Sequence, residues 1–382
     1  MRKFTMTNKK VVFVSNYFSH HQEPFSREMY KLLGENYTFI ETTEMEEERK
    51  NMGWSLDDIP PYVVTSEIFY EQNDKYSELL NLADVVIVGS APYELIKKRI
   101  KANKLVFRYS ERPLKKGLEI QKYLYRFIRW HKNYPNSKNA YLLCASAYTA
   151  GDYAKFALFK NKCYKWGYFP ETINYDDVSC LIDNKEKNSL IWVARYIDWK
   201  HPEMAIKVAK RLRDDGYEFK IKMIGNGILF NDIKESINKN ALNEHFELLG
   251  TMSPQEVRKH MELSEIHIFT SDRREGWGAV LNESMNSACV PIANIDIGSV
   301  PFLIKNTENG FTYKVEDELY ERVKFLLDNP QIRKKMAVGA YRTILDEWNA
   351  ETAAKRFLAL VEEIQMHEKC EIFHSGPCSK SI

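Results

Sequence analysis

Short apolar runs rich in β-branched and aromatic residues recur along the first half of the chain: VVFVSN (11–16), YTFIET (37–42), YVVTS (62–66), VVIVGS (85–90), LVFRYS (105–110) and AYLLCAS (140–146). Several are apolar at successive positions, as a strand must be when helices cover both faces of a parallel sheet. Between them the period changes. In QEPFSREMYKLLG, Phe25, Met29, Leu32 and Leu33 recur at helical spacing and Gly34 stops the pattern. Strand and helix in alternation predict a doubly wound α/β sheet over residues 1–172.

The stretch 164–188 breaks this rhythm with Pro170, acids and polar residues, which places an interdomain linker at 173–188. The alternation then restarts with SLIWVAR (189–195), FKIKMIG (219–225), FELLG (246–250), EIHIFTS (265–271) and CVPIAN (289–294). These predict a second doubly wound domain over 189–349. A helix at 350–367 is a candidate to pack back on the first domain, and 368–382 reads as a loose tail. Two Rossmann-like sheets in tandem imply a cleft between them, because ligands of open α/β sheets bind outside the carboxyl ends of the strands.

The 382 residues, 44% hydrophobic, suit two globular domains and argue against disorder. There is no apolar run of about 18 residues of the kind a spanning helix needs. The start, MRKFTMTNKKVVFV, lacks a secretory pattern, so a cytoplasmic location is expected. Six cysteines without a C-x-x-C pair suit reduced thiols, and Cys370, His374 and Cys378 in the tail lack a fourth ligand, so no metal site is expected. Net charge is only +2, yet fourteen Lys or Arg stand between Lys97 and Lys138 against Glu111 and Glu119 alone. Within this stretch Tyr123, Leu124, Phe127, Ile128 and Trp130 interleave with Lys122, Arg126, Arg129 and Lys132. That pattern fits an interfacial helix meeting anionic lipid, or an ordinary helix with its aromatics inward. A nucleic-acid groove is disfavoured, since the rest of the chain is not basic.

Unusual residues gather at the strand ends. Arg195 and Lys200 follow the first strand of the second domain, ahead of Pro202 and a predicted helix, where two cations and unpaired N–H groups make a diphosphate site. A solvated basic loop is the plainer reading of that pair. Gly225 and Gly227 follow the next strand, either for close approach to a ligand or for a tight turn. They lack the third glycine of a dinucleotide fingerprint, and the chain's first strand is followed by YFSHH without glycine, which argues against a nicotinamide cofactor. After EIHIFTS comes REGWGAVLNESM, in which Glu275 and Glu283 bracket a Gly276-Trp277-Gly278 turn and a predicted helix start. Carboxylates accept from vicinal sugar hydroxyls, although either acid alone could be a cap or a solvated side chain.

A glutamate, seven residues and a glutamate, with Gly-Trp-Gly after the first, preceded by Arg-x4-Lys after the first strand of the second domain, resembles the retaining, nucleotide-sugar-dependent GT-B glycosyltransferases, family four. The resemblance implies two Rossmann-like domains facing across a cleft. It assigns Glu275 and the turn's N–H groups to the donor sugar, Glu283 to the ribose, and Arg195 and Lys200 to the diphosphate. The backbone at Gly225 to Gly227 and the loop LGTMS (249–253) would lie near the nucleotide. It further implies retention by same-face attack without a metal or other cofactor, and domain closure that excludes water. The nucleotide diphosphate sugar is then a co-substrate.

The acceptor side departs from the family pattern. SNYFSHHQEP replaces a Gly-Gly loop and Ser110-Glu111-Arg112 stands where many members have a histidine, which makes Asn16, His20, His21, Glu111 and Arg112 acceptor-side candidates. Glu111 could position an acceptor hydroxyl or form a surface salt bridge. The expected function is transfer of a hexose to a polysaccharide or lipid-linked acceptor. A non-catalytic binding module and a nucleotide-sugar epimerase are the alternatives. If the basic stretch meets lipid, the chain sits peripherally on the inner face of the membrane.

Overall fold

A computed structural model describes residues 9–51, 58–134, 138–366 and 372–381. The chain divides into two compact units, 1–170 with 350–382, and 171–349. The first is built on β1 (Val11–Ser15), β2 (Tyr37–Glu41), β3 (Val63–Val64), β4 (Val85–Val88), β5 (Val106–Ser110), β6 (Ala140–Cys144) and β7 (Cys163–Lys165). They lie in the order β3-β2-β1-β4-β5-β6-β7 and pair in parallel throughout. The second unit holds β8 (Ser189–Val193), β9 (Lys220–Ile224), β10 (Phe246–Gly250), β11 (Ile266–Phe269), β12 (Val290–Asn294) and β13 (Phe311–Tyr313). Their order is β10-β9-β8-β11-β12-β13, again all parallel.

The central strands β1, β4, β6 and β11 are buried at every position, which accounts for their unbroken apolar runs. In both sheets the order reverses once, between β1 and β4 and between β8 and β11. At such a switch point the connections leave in opposite directions and open a crevice at the carboxyl ends of the strands.

Two segments differ from the sequence reading. The segment 173–188 is not a free linker but the start of the second unit. Asp177 caps the helix Val178–Asp183 by accepting from Ser179 N at 2.8 Å, and Ile182 enters the core. Asn286 pairs with both backbone groups of Ile173, at 2.8 and 3.0 Å. Lys185 Nζ is buried on the carbonyls of Met261, Glu262, Ser264 and Ser287, so its charge is solvated by backbone dipoles.

The described part of the tail is not loose either. Lys165 N donates to Ser379 O at 2.7 Å and Cys378 N to Lys165 O at 2.8 Å, while Lys380 bridges Tyr164 antiparallel. The tail thereby pairs the open edge of β7. The helix Ala350–Met366 belongs to the first unit, where Phe357 packs its ring on Phe25, Phe107 and Trp166. Strands β7 and β13, three residues each, carry too short an apolar run to be recognised beforehand.

Candidate functional site

In the second unit the two strands flanking the switch point lead into loops that are sewn together. Trp192 Nε1 donates to Thr270 Oγ1 at 2.8 Å, Thr270 Oγ1 donates to Lys200 O at 2.5 Å, and Asp272 N donates to Trp199 O at 3.0 Å. This places Lys200 against Glu275, although 75 residues separate them in sequence; their ion pair has both side chains only 12% exposed. Ser271 Oγ donates to the same Glu275 oxygen at 3.0 Å, and Lys200 Nζ lies 4.4 Å over the Trp199 ring. Arg274 braces the loop from outside, bonding Asp272 and reaching Asp198 at 2.7 Å. Arg195 is exposed at the start of the loop.

The Gly276-Trp277-Gly278 turn has an internal reason for its composition. Trp277 is fully buried, donates to Asn282 Oδ1 at 2.9 Å and packs near Phe302 and Trp348. Its indole is therefore a core anchor, and only its backbone is left to serve a ligand. Gly278 has φ 87°, and a Cβ there would fall 2.6 Å from the Phe269 ring. Glu283 lies in the first turn of the short helix Val280–Asn286. Burial raises its carboxyl pKa above the ordinary glutamate value, and the Arg258 charge opposes that rise.

Gly225 and Gly227 are required by the protein itself. With φ 132° and 156°, a Cβ at Gly225 would meet Ala194 O at 1.9 Å and one at Gly227 would meet Tyr196 O at 2.5 Å. The loop after β9 is thus pressed onto the loop after β8, held by Tyr196 N to Asn226 O at 2.9 Å. The close approach foreseen for a ligand is made here to a neighbouring backbone.

The first unit assembles a different group at its strand ends. Beside the β1/β4 switch point, Ser15 Oγ donates to Asn16 Oδ1 at 3.1 Å and accepts from Ser90 N at 3.2 Å. The rings of His20 and His21 lie 3.9 Å apart, and His21 stacks on Tyr168 at 5.6 Å. Tyr168 Oη donates to Glu111 Oε1 at 2.8 Å, and Lys115 reaches the other Glu111 oxygen at 3.2 Å. Tyr109 meets the Tyr168 ring edge-on at 5.9 Å.

Burial, then the neighbouring His20 and Arg49, hold His21 well below the usual histidine pKa, so it is neutral near pH 7. Burial and the Glu111 charge push the Tyr168 phenol up, which keeps it a donor. Arg112 is a correction to the acceptor-side reading. It is buried, directs Nε to Asp152 at 3.4 Å and lays its guanidinium over Tyr148 at 4.5 Å. Asp152 also accepts from Leu114 N at 3.0 Å, so the pair pins the loop. No local pattern marks Tyr168, because its partners Glu111 and His21 are distant along the chain.

The Lys97–Lys138 stretch is not one surface. Arg99 is buried on the carbonyls of Leu80, Ala83 and Leu105, its pKa lowered to about 10 by burial. Cys144, Cys163, Cys180, Cys289 and Cys378 are free thiols, and Cys370 lies outside the described residues. Among the described residues no group of three or more His, Cys, Asp or Glu could hold a metal ion, and no helix is long and apolar enough to cross a membrane.

Two all-parallel, doubly wound units of this kind constitute the GT-B fold. The crystal structure of Anabaena Alr3699/HepE in complex with UDP superposes with a TM-score of 0.67 at 12% identity, covering 94% of this chain and 100% of that one. A glycosyltransferase from Rickettsia africae superposes with a TM-score of 0.65 at 15% identity, covering 94% and 99%. Residues 181–343, within the second unit, match the family model for glycosyl transferases group 1. An uncharacterized glycosyltransferase, MJ1178 of Methanocaldococcus jannaschii, is 28% identical over 159 residues, 41% of this chain and 43% of its own length. The alpha-D-kanosaminyltransferase of Streptomyces kanamyceticus is 25% identical over 177 residues, 46% and 45% respectively. The matches thus span less than half the length of these curated relatives.

Proposed function

We propose that this chain is a glycosyltransferase that moves a sugar from a nucleoside diphosphate to a polysaccharide or lipid-linked acceptor with retention at the anomeric carbon. The observation that carries the reading is the Lys200–Glu275 pair at the β8/β11 switch point, with Glu283 following on the same loop and helix. The reaction breaks the bond between the anomeric carbon and a phosphate oxygen, so negative charge grows on the diphosphate. Lys200 and Arg195 supply fixed positive charge there, which lowers the barrier without reorganisation during the step. Glu275 already holds Lys200, and on donor binding its carboxylate shares that cation with the diphosphate while accepting from the sugar hydroxyls. Glu283 accepts from the ribose.

The acceptor is assigned to the first unit, where Glu111, oriented by Tyr168, receives its hydroxyl. The acceptor oxygen bonds to the anomeric carbon on the face from which the phosphate oxygen departs, and its proton passes to that departing oxygen, so the configuration is retained. The donor-side cations do the work that a divalent ion would do in a metal-dependent transferase, so no metal is required. The related names support sugar transfer, and HepE is solved with UDP, which makes UDP the first nucleotide to try.

The test is a thermal-shift titration of the purified chain with UDP, GDP, ADP and dTDP and their common sugars, for wild type and Glu283→Ala. A ligand that binds the native state raises the melting temperature by mass action. A shift with one nucleotide that the variant loses is expected; no shift with any of them sinks the donor site.

A further inference from the structure

The helix Ile120–Asn133 has two faces with different fates. Tyr123, Phe127 and Trp130 pack against the core of the first unit; Tyr123 Oη donates to Lys155 O at 2.9 Å, and Trp130 lies 4.6 Å from the Phe156 ring. On the other side Leu124, Tyr125 and Ile128 are 65%, 62% and 59% exposed. Lys122, Arg129 and Lys132 are exposed around them, Lys122 pairing with Glu119 at 2.5 Å just before the helix, and no acid occurs within the helix itself. The aromatics that interleave with the cations in sequence therefore separate in space, and a second apolar face remains outside.

From this the geometry points to an anionic lipid surface as the partner of the outer face. The helix lies flat, with Leu124 and Ile128 entering the acyl boundary and Tyr125 at headgroup level. The Lys and Arg stems extend to lipid phosphates, which long cationic side chains reach while their stems stay apolar. Charge decides against the other occupants. A second copy would bring the same cations face to face, and a nucleic-acid backbone offers nothing for exposed Leu and Ile to bury against. The inference rests on this helix alone and is independent of the transfer reaction.

The experiment is flotation of the full chain with vesicles of phosphatidylcholine, or of phosphatidylcholine with phosphatidylglycerol. The proteins are wild type, Arg129→Gln/Lys132→Gln and Leu124→Ser/Ile128→Ser, each checked for an unchanged melting temperature and nucleotide-induced shift. Wild type is expected to float with the anionic vesicles only and to be released by salt. Each cation removed weakens binding roughly fivefold, and the serine pair weakens it by about tenfold or more. Flotation that ignores lipid charge, failure of wild type to float, or variants that float like wild type would overturn the inference. So would a dimer in the ultracentrifuge that the serine pair dissolves, which would assign this face to a second copy.

Discussion

The two units share one scaffold and carry different chemistry at the same place. Both sheets are wholly parallel with one reversal of order, and both present their unusual residues in loops beyond the carboxyl ends of their strands. In the second unit the edge is ionic: Lys200 against Glu275, braced by Arg274, over glycines pressed onto backbone. In the first it is mainly aromatic, with two histidines, Tyr168 and Tyr109 near Glu111, whose carboxylate also pairs with the half-exposed Lys115. A diphosphate needs concentrated positive charge, whereas a sugar hydroxyl needs a shaped surface and one well-placed acceptor. The contrast is what supports the proposed division, with the donor on the second unit and the acceptor on the first.

That division breaks most sharply at Lys200. Lys200→Ala should lower transfer by about a thousandfold, the scale of losing one preorganised donor to developing charge. It also strands a largely buried Glu275 carboxylate, costing roughly 3 kcal/mol of stability. Single-turnover product formation and denaturant unfolding separate the two effects. If transfer survives, the ionic edge is not where charge develops.

Gly225→Ala comes next. The Cβ has nowhere to go, 1.9 Å from Ala194 O at a left-handed φ, so about 3 kcal/mol or more should be lost from the second unit. A normal urea midpoint would show that the two loops are not held together as described.

Glu283→Gln should weaken nucleotide binding by about 1.5–3 kcal/mol, read by calorimetry. It also tests a pH dependence. Because burial raises this carboxyl's pKa, it protonates on acidification before an exposed glutamate does. Wild-type affinity should then fall at a pH above the ordinary glutamate range, and the Gln variant should lack that step. For stability the sign is opposite: a raised folded pKa favours the fold at low pH, and that contribution disappears as pH rises through the folded pKa.

The smallest effect belongs to the first unit. Tyr168→Phe removes one hydrogen bond from Glu111, so transfer should fall about tenfold with the nucleotide-induced thermal shift unchanged. A variant that also loses nucleotide binding would erase the contrast between the two edges.

How much of this was legible depends on distance along the chain. Glu275, the glycine turn and Glu283 lie within one short stretch, and Arg195 and Lys200 within another, so their spacing carries information. The partner of Glu111 is 57 residues away, beside a three-residue strand, and no local pattern marks it. Arg112 reads from sequence as an acceptor-side candidate beside Glu111. It is instead drawn into the interior by Asp152, 40 residues on.

Taken by itself, the sequence determined that there are two doubly wound sheets and where most of their strands end, because hydrophobic period and turn residues act locally. It also determined the ionic residues of the second unit, whose positions relative to strand ends are set by a few backbone torsions. Tertiary structure alone decided that Lys200 meets Glu275, that Trp277 turns inward, that Gly225 faces a backbone and that residues near 380 pair with β7. Each of those follows from which strands lie side by side, and strand order is a long-range pairing that closes loops of many residues and leaves no period in the chain.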